Sequence, residues 1–363
     1  MKPVEQRLHV GNTPSDVVIE QSETTEKPLG AVMVCLADVK PEPISWLWPG
    51  RIARGKVSMV AGDPGLGKSL VTLDIAARVT QGKRWPVDNT PCPVGDVVLL
   101  SAEDDAADTI RPRLDAVGAD VRRVHLLQAV CEVSKEGESI TRSFSLRRDL
   151  NTLDKVLTDK PGCVLVVVDP ISAYLDGTDS HNNADVRALL APLGEMASRH
   201  KVAVVCVAHL NKGGQQNAMY RVTGSLAFVA AARSVLAVTK DQAAPARRLV
   251  LPVKNNLGAD TLGLAYRIKA VNGLPVVEWE PEPVSISIDE ALASAEDDSR
   301  TAREEAVEWL QTLLAEGPLS AKDVQRQATQ AGLAWATVRR AKDALGIKPT
   351  KTRFDGGWEW ALL

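Results

Sequence analysis

The sequence predicts an α/β fold, a largely parallel sheet covered by helices on both faces, with a smaller module behind it. Three observations carry this. Apolar runs of strand length recur from about Pro41 to Glu280, amphipathic helical stretches separate them, and 363 residues suffice for one substantial core plus a small second one. The rhythm then changes, and residues 301–363 read as short helices followed by two strands.

Residues 1–40 are polar and weakly periodic and read as a flexible N-terminal tail, with "VMVCL" (Val32 to Leu36) as a short apolar exception. The domain over 41–280 opens on "WLWPG", whose indoles either pack on the core or stack on a base. Its strand-like runs are "KVSMVAG", "DVVLLSAE", "RVHLLQAV", "CVLVVVDP", "VAVVCVAHL", "SVLAVTK" and "RLVLPVKNN". The helical stretches between them are "SLVTLDIAARVTQG", "AADTIRPRLDAVG", "LRRDLNTLDKVLTD" and "NADVRALLAPLGEMASRH". Residues 281–300 are acidic, without a core pattern, and read as a linker.

In 301–363, "AREEAVEWLQTLLAEG", "SAKDVQRQATQAG" and "AWATVRRAKDALG" read as three helices, with Ser320 as an N-cap and Gly332 as a terminator. Two strands joined at "FDGG" complete the order of a winged helix-turn-helix. From Lys322 to Arg353 eight basic residues face two acidic ones. Arg339, Arg340 and Lys342 on the recognition helix and Lys351 and Arg353 in the wing would suit nucleic-acid phosphates, or the module docks protein. Trp335, Trp358 and Trp360 are expected in its core.

The overall charge is −3, with 43 Lys and Arg against 46 Asp and Glu, so no global basic field points to nucleic acid. Cys35, Cys92, Cys131, Cys163 and Cys206 form no CxxC pair, which argues for reduced core thiols and against a structural zinc. No apolar run reaches the roughly 18 residues of a membrane span, and the polar start lacks the apolar segment of a signal peptide. A soluble, cytoplasmic protein is expected.

The chemistry concentrates in "AGDPGLGKSL". Gly62, Gly67, Lys68 and Ser69 satisfy GxxxxGK[ST] between an apolar strand and a helix. Such a loop, Gly62, Asp63, Pro64, Gly65, Leu66, Gly67, Lys68, Ser69 and Leu70, surrounds ATP phosphates with backbone N–H groups; Lys68 neutralises their charge and Ser69 binds Mg²⁺. Asp169, ending "CVLVVVD", is a Walker B carboxylate for the same metal. Glu103 in "SAEDD" either orients the attacking water or caps a helix start.

"GDPGLGKS", "SAEDD", "VVVDP", "VAHLNKGG", "RVTGSLAFVAAARSVLAV" and "LPVKNNLG", in this order, resemble the RecA-type ATPases of the RepA group, the plasmid- and phage-borne replicative helicases of RecA/DnaB type and their AAA-labelled relatives. The resemblance covers about Pro41 to Glu280. It implies a RecA-like P-loop core assembled as a hexameric ring, with ATP between subunits, DNA in the channel, and a replication initiator or primase as a further partner. Glu103 would be the catalytic carboxylate, His209 the γ-phosphate sensor and Arg233 the arginine finger reaching a neighbour's ATP. Without the resemblance, His209 reads equally as a strand-end histidine and Arg233 as a surface ion pair. Lys254 in "PVKNN" is a second candidate for the γ-phosphate, or a solvated strand end.

The polar segment after His209, "LNKGGQQNAMYRVT", carries Lys212 and Arg221 and would line a channel for single-stranded DNA, or serve as an ordinary surface loop. The expected function is therefore an ATP-driven DNA helicase or translocase of mobile-element replication. The alternative is an ATP-controlled DNA-binding regulator or assembly scaffold without unwinding activity.

Overall fold

The structure, a computed structural model, describes residues 33–133, 137–177, 183–209, 226–315, 317–351 and 358–362. Contacts divide the chain at Pro43 into two units. In the first, the described residues contain one turn of 3-10 helix, Leu36–Asp38, and expose Met33, Val34 and Leu36.

The second unit enters through a short antiparallel pair, β1 (Trp46–Trp48) and β2 (Ile52–Ala53). The main sheet then takes β3 (Val57–Gly62), β4 (Asp96–Ser101) and β5 (Val124–Leu126); β6 (Val130–Val133) and β7 (Ser139–Arg142) form a separate hairpin. It continues with β8 (Cys163–Asp169), β9 (Ala203–His209), β10 (Ser234–Lys240), β11 (Arg247–Asn255), β12 (Leu264–Val271) and β13 (Leu274–Trp279). The spatial order is β13-β12-β11-β10-β3-β9-β8-β4-β5.

From β10 to β5 every neighbour is parallel, whereas β11, β12 and β13 are antiparallel. Chain connectivity explains the split. The parallel strands are joined by crossovers long enough for helices, while β12 and β13 are joined at Asn272–Gly273, both left-handed (φ +52° and +79°), a two-residue turn that only reverses direction.

The helices are α1 (Lys68–Gln81), α2 (Arg111–Ala116), α3 (Leu150–Asp159), α4 (Asn183–His200) and α5 (Leu226–Ala231). Alternate strand residues face two separate cores. Met59, Leu100, Val166 and Val204 pack with Leu153 of α3 and Leu193 of α4; Val60, Leu99, Leu165 and Val205 pack with Val71 and Ile75 of α1 and Leu114 of α2. Both sheet faces are thus dry, which is why these strands read as unbroken apolar runs.

Trp48, almost fully buried, stacks on Trp85 with ring centroids 4.6 Å apart, so this indole of "WLWPG" belongs to the core. Cys92, Cys163 and Cys206 are core thiols as expected; Cys35 and Cys131 are exposed. Among the described residues no helix is long and apolar enough to cross a membrane.

The acidic segment 281–300 becomes helical at Ile288, where α6 (Ile288–Ala315) begins. Ser287 and Glu290 start it: the Ser287 N–H donates to Glu290 Oε2 (2.8 Å) and the Glu290 N–H to Ser287 Oγ (3.2 Å), a reciprocal cap. Ile288, Ala291 and Leu292 pack on the sheet's α3–α4 side. Farther along, Ala306, Leu310 and Leu314 join a third core with α7 (Ala321–Gln330), α8 (Trp335–Ala344), Ile347 and Trp360.

Ser320 caps α7 as the sequence predicts, accepting from the Asp323 N–H at 3.1 Å. A small antiparallel sheet, in spatial order β14 (Leu319–Ser320), β16 (Trp358–Trp360), β15 (Thr350–Lys351), closes the module. Trp335 and Trp360 stack at 5.2 Å, but Trp358 is 53% exposed with Lys351 over its ring, which corrects the expectation that all three indoles are internal. β16 has one face on the core and one outward, so alternate residues diverge.

Candidate functional site

Strand register assembles the site. Gly62 ends β3 directly beside His209, the end of β9, and Ser101 at the end of β4 lies beside Asp169, the end of β8. Because these strands are parallel, their carboxyl ends share one sheet edge, where ligands bind in open α/β folds.

The loop from Gly62 to Gly67 feeds α1. A Cβ on Gly62 would meet the Val238 carbonyl oxygen at 2.5 Å, and that backbone has no room to retreat. Gly67 is left-handed (φ +88°) and offers no side-chain cap, so the first turn of α1 presents its amides to an incoming anion. Lys68 is 4% exposed, and its ammonium donates to the carbonyls of Gly62 and Asp63, both at 2.8 Å. Burial lowers its pKa; Asp169, Asp63 and Glu103 oppose that shift.

The third contact of the ammonium is His209 Nδ1 at 3.1 Å. An ammonium has only donors, so Nδ1 accepts and the neutral ring carries its proton on Nε2. That nitrogen lies 3.7 Å from Glu103 Oε1. Burial, reinforced by Lys68, holds the imidazole pKa below its ordinary value against the pull of Glu103.

The three carboxylates of "SAEDD" separate into three tasks. Asp105 caps the π-helical turn Ala106–Ile110, accepting from the Ala107 N–H at 2.7 Å and the Asp108 N–H at 3.2 Å. Asp104 pairs with Arg113 at 2.9 Å. Glu103, with its side chain 64% exposed, is left to face His209. The capping that Glu103 could have supplied is thus performed two residues later.

Asp169 accepts a hydrogen bond from the Ser69 side chain, and with Asp104 the two bound a cavity of about 20 Å³, the size of one water or a small ion. Burial raises the Asp169 pKa to about 6; the Ser69 bond lowers it, Asp104 raises it, Lys68 lowers it and Glu103 raises it, in decreasing order. A hydroxyl and buried carboxylates are hard oxygen donors that fit Mg²⁺. The uncapped helix start and the buried ammonium fit a polyphosphate.

Arg233 and Lys254 lie elsewhere. The exposed Arg233 directly precedes β10, and its N–H donates to the Val57 carbonyl at the opposite end of β3, roughly 16 Å of strand from the loop. The Lys254 ammonium donates to the carbonyls of Val229 and Ala232 at 2.8 Å and Ala230 at 3.2 Å, closing the end of α5. Within one chain neither joins the Lys68 site. Arg339, Arg340 and Lys342 lie on α8 and Lys351 on β15; Lys212, Arg221, Arg353 and the "FDGG" turn lie outside the described residues.

A buried residue that the sequence motifs do not single out also touches the loop: Tyr266 of β12 donates its hydroxyl to the Leu66 carbonyl at 2.7 Å. The alternation in "LAYRIKAV" followed by Asn-Gly is the available signal.

A glycine-rich loop into a helix, a buried lysine and a strand-end aspartate at the carboxyl edge of a parallel sheet define a P-loop α/β domain. The chain belongs to the AAA domain family, which it matches over residues 22–215. It is 29% identical to the DNA repair protein RadA of Mycobacterium tuberculosis over 217 residues, 58% of this chain and 37% of that one. The corresponding protein of Streptococcus pneumoniae is 24% identical over 165 residues, 46% of this chain and 32% of its own. The matched region spans about a third of the length of these relatives. Among solved structures, the RadB recombinase aligns with TM-score 0.42 and 19% identity, over 60% of this chain and 89% of its own. A second solved structure, an isolated ATPase domain, aligns with TM-score 0.43 and 13% identity, over 61% and 85% respectively.

Proposed function

We propose that this protein is a RecA-type ATPase that hydrolyses ATP between the subunits of a hexameric ring and uses it to move along or unwind DNA in mobile-element replication. The observation that carries the reading is the polarity of the sheet. Lys68, Asp169, Glu103 and His209 occupy its carboxyl edge, while Arg233 stands exposed at the other end of β3, too far to serve its own loop. A neighbouring chain brings the two ends together.

In that arrangement the loop amides and Lys68 bind the phosphates. Ser69 and Asp169 would hold Mg²⁺, which supplies charge neutralisation on the β- and γ-phosphates when bound. Glu103 orients and deprotonates the attacking water, and the Nε2–H of His209 registers the γ-phosphate. Arg233 donated in trans stabilises charge on the transferred group, so hydrolysis depends on subunit contact. Lys254 acts with it as a second cation at the same end.

The C-terminal module serves as a winged helix, with Arg339, Arg340, Lys342, Lys351 and Arg353 on duplex phosphates and a replication initiator or primase as a further partner. Lys212 and Arg221 contact single-stranded DNA in the ring. The names of the RadA relatives agree with work on DNA. The test is the ATPase rate with and without single-stranded DNA, together with the oligomer mass and a strand-displacement assay. Stimulation by DNA in a ring-sized species supports the motor. Slow DNA-independent hydrolysis with tight duplex binding overturns it in favour of an ATP-controlled DNA-binding scaffold.

A further inference from the structure

The phosphate loop is gripped from behind by a strand that follows it by 200 residues. Tyr266 is fully buried on β12, and its hydroxyl donates to the Leu66 carbonyl at 2.7 Å. One pleat further on, Ile268 stands behind Gly67, its Cδ1 2.9 Å from where a Cβ on that glycine would be. The neighbouring strand adds a third hold: Trp279 Nε1 donates to Asp74 Oδ2 of α1 at 2.7 Å. Tyr266 and Trp279 pack ring on ring at 5.4 Å, and Trp279 meets Trp48 edge-on at 5.8 Å, so the hold is anchored in the aromatic core.

Peptide geometry gives this contact a consequence. In a planar trans peptide the carbonyl and the N–H of the next residue point in opposite directions. Drawing the Leu66 oxygen toward Tyr266 therefore turns the Gly67 N–H away from the core. Gly67, with no Cβ to restrain it, has no local means of choosing that orientation. Burial raises the phenol pKa, with Arg248 opposing, so the hydroxyl keeps its proton at neutral pH.

We infer that Tyr266 is a positioning residue for nucleotide binding: by holding the Leu66 carbonyl it presents the Gly67 N–H to the β-phosphate, and the antiparallel edge of the sheet thereby presets the phosphate loop. This rests on the reading of the loop as an ATP site. It assigns β12 and β13 a role in affinity, separate from the residues that perform hydrolysis.

The test is Tyr266→Phe in the full chain, which keeps the ring and its packing and removes only the donor. Titration calorimetry should find ATP and ADP binding weakened alike, about 5- to 10-fold, because both carry the β-phosphate. KM should rise by a similar factor while kcat at saturating ATP stays within about twofold. A variant with a lower melting temperature but unchanged affinities would mark the hydroxyl as merely structural and overturn the inference. Ile268→Val, which thins the wall behind Gly67, should shift both affinities in the same direction and serves if the first variant does not fold; an unchanged Ile268→Val overturns the inference in that case. Wild-type protein that binds neither nucleotide would overturn the ATP reading itself, whereas wild-type binding with an unaltered Tyr266→Phe overturns the role of Tyr266 alone.

Discussion

Lys68 Nζ lies 3.1 Å from His209 Nδ1, and Nε2 on the far side of the ring lies 3.7 Å from Glu103. The pair couples the phosphate lysine to the carboxylate that would direct water, through one neutral imidazole. Protonating Nδ1 would set two donors against each other, so the contact selects both the charge and the tautomer of the ring.

A nitrogen-15 histidine spectrum tests this directly. The protein has five histidines, and His209→Gln identifies the ring concerned. His209 is expected neutral with its proton on Nε2 at pH 6.5, since its pKa lies below the ordinary value. A doubly protonated ring at that pH would sink the assignment.

Asp169 opposes stability in the nucleotide-free protein. Its folded pKa of about 6 exceeds the ordinary value of 3.8. The native state therefore binds the proton more tightly than the unfolded chain, and that advantage is present below the unfolded pKa and lost as pH rises through the folded one. At pH 7.5 Asp169→Asn should raise the nucleotide-free melting temperature by a few degrees, an effect on the order of 1–3 kcal/mol. The same variant should lose the further stabilisation conferred by Mg²⁺ and ATP. A lower melting temperature without nucleotide would contradict the account.

The β6–β7 hairpin depends on a different carboxylate. Asp149, almost fully buried, takes two hydrogen bonds from the Arg142 guanidinium, at 2.5 and 2.7 Å, and one from the Ser145 N–H at 2.8 Å. Arg142 holds its pKa below the usual carboxylate value, aided by Ser145. This contribution is present above the unfolded pKa and lost as pH falls through the folded one. Asp149→Ala leaves a buried guanidinium without its main partner and should cost about 2–4 kcal/mol, read by urea denaturation at pH 7. At pH 3 the difference between wild type and variant should shrink; a difference that stays constant with pH would refute the ionic origin.

Arg233→Ala should abolish hydrolysis while each chain still binds ATP. Mixing it with Lys68→Ala chains is the sharper measurement, because some interfaces then combine an intact loop with an intact arginine. Recovery of ATPase activity on mixing is expected. Two inactive variants that stay inactive together, despite proven co-assembly, would remove Arg233 from the trans role.

Much of the domain is legible in the chain. The runs "VSMVAG", "DVVLLS", "CVLVVVD" and "AVVCVAH" become central parallel strands because burial on both faces leaves no polar alternation to misread. Helix α4 spans the predicted "NADVRALLAPLGEMASRH" from end to end. The antiparallel edge is less visible: "LAYRIKAV" and "LPVVEW" carry exposed charged residues on one face, which weakens their strand signal although Asn272–Gly273 marks the turn. At 281–300, acidic composition obscures a helix whose start is set by Ser287 and Glu290 and whose first turn packs on the core.

By itself the sequence determined the loop chemistry, from Gly62 through Ser69, and the strand-end carboxylate Asp169, because these depend on residue types at fixed spacing beside recognisable elements. Only the tertiary structure decided which carboxylate of "SAEDD" faces His209, that Lys254 closes a helix, and that Tyr266 reaches Leu66. Those are contacts between residues up to 200 positions apart, and their direction follows from strand register and side-chain alternation, which local pattern does not encode.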